Sequence, residues 1–178
     1  MTPELEAALD LLHTATVELR RTVREELGSS LLTNSPSPEA CNLALRLGDL
    51  LRPLYSALGH SVRSHSPLEP GGADVPDPAL SVVYGARFIA ERRHPRADET
   101  LLVVDVGPRT LDWSRSNHYA RHSAPVFWQI DPENAHIMVY ETPVDGQYQD
   151  RYVLAGSDRI AAPAIGASWA AEFVLGLA

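Results

Sequence analysis

The chain contains no lysine; all 15 of its basic residues are arginine. Arginine stays protonated and shuttles protons poorly, so chemistry that relies on a lysine has no residue to carry it. The bias also fits a GC-rich coding sequence, as do the 14 prolines and the many alanines. Cysteine is nearly absent. Cys41 alone excludes an internal disulfide framework and favours a cytoplasmic location. No apolar run approaches the ~20 residues that span a bilayer, so no membrane partner is expected. Residues 1–27 are amphipathic and acidic, without the basic flank and apolar core of an export signal. A glycine-rich phosphate loop and a Gly-x-Ser-x-Gly elbow are also missing.

Positive charge is in short supply. The formal net charge is −8, whereas sequence-blind DNA binding rests on Lys and Arg neutralising phosphates. Arg87, Arg92, Arg93 and Arg96 form a basic cluster that is either a phosphate-contacting patch or a plain exposed loop.

At 178 residues one globular domain is expected, with 44% apolar residues to fill its core. Leu5, Leu9, Leu12, Leu19 and Val23 share one face of a helix over residues 3–27, capped by Thr2 and stopped at Gly28. A short strand over 31–33 and a Pro-rich loop over 34–38 lead to a Leu-rich helix over 39–58, with Pro53 inside it. Strands are then expected over 61–66, 79–84, 101–106, 126–130, 136–141 and 148–155, the last two paired antiparallel. Residues 87–98 read as a loop or broken helix and 112–122 as a helix. An apolar segment over 160–165 and a short helix over 168–177 close the chain. The order predicts an α+β fold, a mixed sheet flanked by helices with an N-terminal helical extension over residues 1–27.

Two acids stand out. Asp105 lies inside the wholly apolar run Leu101-Leu-Val-Val-Asp-Val106, where a carboxylate is costly unless it is paired, protonated or bound to a metal. Asp77 sits between two prolines at the entrance to a strand, as a metal ligand or as a turn residue. Asp105 alone leaves metal ligand and arginine partner open. His118 and His122 have the i, i+4 spacing of zinc ligands, but the Glu of His-Glu-x-x-His is missing and Cys41 is the one thiol, so a solvated helix face is the default reading. Trp113, Trp128 and Trp169 read as core or interface aromatics.

Pro76-Asp77 before one strand and Leu-Val-Val-Asp105-Val in the next resemble the paired motif of the PD-(D/E)XK nuclease superfamily. Tyr119-Ala-Arg121, Ala124-Pro-Val-Phe-Trp128, Ile130-Asp131-Pro132 and Val139-Tyr140 follow in order. With the Ser35-Pro-Ser-Pro38 loop upstream, they make residues 26–178 similar to the Uma-two type family of restriction-endonuclease-like proteins. The resemblance implies a restriction-endonuclease-like fold and metal-dependent hydrolysis of DNA phosphodiesters. It implies Mg²⁺ or Mn²⁺ held by Asp77, Asp105 and Glu26, if the site is active at all. The family's second acid is a Glu, so Asp105 is one methylene shorter. Its lysine often comes from the following helix, at the position of Arg115 here; the superfamily's usual lysine position is Gly107. These departures imply weak or absent cleavage, with Asp77, Asp105 and Arg115 as the residues in catalytic positions. The alternative is a non-catalytic homodimeric interaction protein that keeps the fold, using residues 136–155 and the first helix as its interface.

Overall fold

The computed structural model describes residues 37–69, 77–107 and 113–177. The expected helix over 3–27, the strand over 31–33, Glu26 and the boundary near residue 28 lie outside the described residues.

Helix α1 (Pro38–Ser56) starts where Ser37 caps it, its hydroxyl accepting from the Ala40 amide at 3.2 Å, with Pro38 in the first turn. Leu43, Leu47, Leu51 and Tyr55 recur at i, i+4 and are all buried, so one face of α1 is core. The Tyr55 hydroxyl donates to the Pro163 carbonyl at 2.8 Å, fastening the helix to the C-terminal segment. Pro53 lies within the last turns of α1 without ending it.

Six strands form one sheet in sequential order: β1 (Ser61–Ser64), β2 (Leu80–Val83), β3 (Thr100–Val106), β4 (Val126–Asp131), β5 (His136–Val144) and β6 (Gln147–Ala155). All neighbours are antiparallel except β3 and β4, which run parallel. A parallel pair needs a crossover, and helix α3 (Trp113–Arg121) lies between these two strands in the chain. Between β2 and β3 come a one-turn helix α2 (Arg87–Ala90) and a 3₁₀ turn (Ala97–Glu99). The chain closes with β7 (Arg159–Ala161), β8 (Ser168–Ala170) and α4 (Ala171–Leu175). The C-terminal helix expected over 168–177 is therefore shorter. Its first three residues instead pair with β7, which places Trp169 opposite Ile160.

The sheet separates two apolar clusters. On one face α1 and α4 pack on Leu80, Val82, Leu102, Val104, Trp128, Ile130, Ile137 and Val139. On the other, Tyr119 and Ala124 pack on Val103, Phe127 and Tyr140. The alternation follows from the strand period of two. It explains why β3 is buried over nearly its whole length and mostly apolar: both its faces are covered.

The basic cluster over 87–96 is largely neutralised by its own loop. Arg93 bonds Glu91 at 2.6 Å and both carboxylate oxygens of Glu99 at 2.6 and 2.7 Å. Arg87 pairs with Glu91 at 2.7 Å and Arg96 with Asp98 at 3.2 Å. Hydrogen bonds from Arg93 and from the Arg96 amide hold the Glu99 carboxyl down at about 2. Arginines committed in this way are poor material for a phosphate-binding patch.

Candidate functional site

The site lies on the α3 face of the sheet. Alternation along β3 turns Asp105 to the same side as Val103, towards the cluster that contains Tyr119 and Phe127. The parallel register sets Asp105 opposite Gln129 on β4, and Gln129 opposite Met138 on β5. Both Asp105 and Gln129 are buried.

Helix α3 delivers the charge that faces this acid. Arg115 lies in its first turn, and its Nε stands 2.9 Å from Asp105 Oδ2. Four residues on, one helical turn away, Tyr119 is buried beside the pair. Burial drives the Tyr119 phenol upward, and the Asp105 carboxylate adds to that. Arg115 works in the opposite direction. The arrangement is a buried cation–anion pair with a neutral phenol next to it.

A second polar chain continues from Gln129. The Tyr140 hydroxyl donates to Gln129 Oε1 at 3.3 Å. Burial raises the Tyr140 phenol, while the Arg151 charge and a hydrogen bond with Ser116 oppose the rise. The Tyr148 hydroxyl donates to the Ala124 carbonyl at 2.8 Å. Aromatic rings run without a break from Tyr119 through Phe127 and Tyr140 to Tyr148, with centroids 4.8, 5.5 and 5.7 Å apart. These contacts pack α3 against β4, β5 and β6. The β4–β5 turn is set by Asp131, whose Oδ1 accepts from the Glu133 and Asn134 amides at 3.0 and 3.1 Å.

Of the residues expected in catalytic or metal-binding positions, Asp105 and Arg115 are brought together. Asp77 is exposed, ahead of β2. The β2–β3 register carried back from Leu80↔Val104 puts it at the same end of the sheet as Asp105. Its electrostatic neighbour is Arg63 on β1, which donates to the Pro67 carbonyl at 3.1 Å and lies 5.2 Å from the Phe88 ring. Burial lowers Arg63 and the Asp77 charge raises it. Among the described residues no three His, Cys, Asp or Glu side chains gather as a metal site. His118 and His122 meet edge to face with ring centroids 4.7 Å apart. Gln129, Ser116 and Arg151 were not singled out from sequence. The alternation of β4 was the available signal for Gln129, a polar residue between Trp128 and Ile130.

Comparison with known proteins follows the same lines. Residues 22–173 match the family model Uma2, described as "Putative restriction endonuclease". Among solved structures, the chain resembles a "putative nuclease belonging to DUF820" from Anabaena variabilis ATCC 29413. The TM-score is 0.64 and the identity 12%, over 82% of this chain and 84% of that one. Comparison with curated proteins gives no match. At that identity the structural likeness speaks for the fold, which is restriction-endonuclease-like, and the family match spans most of the sequence. The chain belongs to the Uma2 family of restriction-endonuclease-like proteins.

Proposed function

We propose that this protein is a nuclease-fold member in which metal-dependent phosphodiester hydrolysis is weak or absent, and that it works by binding. One observation carries the reading: the Arg115 guanidinium lies 2.9 Å from the Asp105 carboxylate. A divalent ion wants several carboxylate oxygens around it, with water completing the shell. Here one described acid faces a guanidinium and the other is exposed near Arg63. The described residues do not fit Mg²⁺ or Mn²⁺, and hydrolysis through such an ion gains no support from them. Arg115 supplies fixed charge without a usable proton.

Calorimetry with Mn²⁺ and Mg²⁺ tests this on the wild type, Asp77→Ala and Asp105→Ala, beside a plasmid-nicking assay. The expected result is no heat of binding at millimolar metal and no nicking. Wild-type binding that vanishes in both variants would overturn the reading and return the protein to the metal-dependent nucleases.

A second copy of the chain is the partner best supported. Among the described residues strand β6 is an edge of the sheet, nine residues long, with Tyr152 and Val153 exposed at 43% and 57%. An edge strand of that length offers a template for pairing with another strand. Sedimentation across a concentration series should show a dimer that Val153→Lys shifts to monomer. A wild type that stays monomeric at high concentration removes this interface.

A further inference from the structure

His118 and His122 stand one turn apart at the C-terminal end of α3. The His122 amide donates to the His118 carbonyl at 3.2 Å, so the helical spacing runs on through residue 122. Side chains at i and i+4 lie on the same face of a helix, one above the other. The two rings meet with centroids 4.7 Å apart and planes at 60°. Both residues are half-buried, so solutes reach them from water. Among the described residues the ring nitrogens of both have no hydrogen-bond partner. Their contacts are ring contacts, with each other and from His118 to Tyr119 at 5.6 Å. Lone pairs on two neighbouring imidazoles are therefore uncommitted, and neither the fold nor the Asp105–Arg115 pair uses them.

We propose that His118 and His122 chelate Zn²⁺ through one nitrogen each, with water in the remaining positions. Two imidazoles on one tetrahedral Zn²⁺, with Zn–N at ~2.0–2.1 Å, have ring centroids about 5 Å apart. The observed 4.7 Å is close to that separation. Rotation about χ2, a soft torsion in histidine, turns one nitrogen of each ring towards a common point. The carbonyls at a helix C-terminus carry partial negative charge, which favours a cation there. Arg115 and Arg121, three residues before and after His118, oppose it. The Arg115 charge is offset by Asp105 at 2.9 Å, and Arg121 is exposed, where water and salt screen it. Among the described residues no third His, Cys, Asp or Glu joins the pair. Structural zinc sites close with four protein ligands, so an ion held by two stays exchangeable and keeps open positions. Imidazole suits Zn²⁺, Cu²⁺ and Ni²⁺, whereas carboxylate and water suit Mg²⁺ and Mn²⁺. The pair therefore selects a different class of metal from the one that the acids of this fold would hold.

Calorimetry with zinc chloride on the full chain, free of any affinity tag, tests this. Saturable binding of one ion per chain is expected, at least about tenfold weaker in His118→Ala and in His122→Ala and unchanged in His136→Ala. His118→Gln and His122→Gln keep a polar side chain at these half-buried positions and should lose binding equally, which separates a lost ligand from a folding defect. Paramagnetic Ni²⁺ should broaden the ring signals of His118 and His122 and leave those of His60 and His136 sharp. One ion per two chains, with a dimer in sedimentation, would keep both ligands and put a second copy's pair where water is placed here. Absence of saturable binding would overturn the proposal. So would binding unchanged in both His118→Gln and His122→Gln. No nucleic acid and no Mg²⁺ enter the measurement, so its outcome is independent of whether the protein cleaves DNA.

Discussion

Asp105→Ala is expected to lower the unfolding free energy by about 3–5 kcal/mol. The substitution leaves the Arg115 guanidinium facing β3 without the carboxylate that it approaches at 2.9 Å. The two side chains retain 6% and 18% of their exposure, so neither charge has ready access to water. Arg115→Ala should cost a similar amount, because the carboxylate then stays among Val103, Tyr119 and Gln129 without that cation. The double variant Asp105→Asn/Arg115→Met behaves differently: it removes both charges and nearly keeps the volume, so it should recover most of the loss. Urea denaturation of the two single variants and the double variant measures this. A double variant as unstable as the sum of the single ones would mean that the charges do not interact, and would remove the ion pair as the organising feature of the site.

The sheet could be read from sequence because its strands are short apolar runs between strong breaks. Leu101–Val106 is the clearest case: dense apolar residues, a single acid and Gly107 at its end. The resemblance also set Arg115 in the place of a lysine that would face that acid, and the structure puts the two in contact. Other features were less legible. Strand β5 was expected to stop near Glu141 and continues to Val144. The Asp145-Gly146 dipeptide explains the extension. Both residues have positive φ, 51° and 77°, as a two-residue hairpin of the primed type requires. The signal was present but lies beyond the end of the apolar run, where a reading by hydrophobicity stops. The C-terminal segment was misread in the opposite direction. Ser168-Trp-Ala170 has a helix-compatible composition, yet pairing with β7 takes precedence over that preference. The basic cluster shows a further limit. Its arginines are visible in the sequence, but their commitment to Glu91, Asp98 and Glu99 depends on how the turns between β2 and β3 fold back on themselves.

Restoring the family's residues provides the sharper test of function. The double variant Asp105→Glu/Arg115→Lys is expected to gain Mg²⁺-dependent nicking of plasmid DNA at least about 10²-fold above the wild type, whose rate should be at background. The two changes act on the two departures from the family's pattern. Glu lengthens the acid by one methylene, and lysine replaces a planar, permanently charged fork with a flexible amine that can give up its proton. Neither change alone is expected to suffice. Arg115→Lys leaves the shorter carboxylate, and Asp105→Glu leaves the guanidinium beside it. Stability offers a control. Each single variant and the double variant keep one acid and one base across the β3–α3 contact, so all should fold, unlike Asp105→Ala. A folded double variant that neither binds Mg²⁺ nor nicks DNA would show that the loss of hydrolysis runs deeper than this pair. In that case the ion pair is one part of a site already given over to binding. Nicking by the double variant, in contrast, would mean that a dormant catalytic geometry persists and that two side chains hold it off.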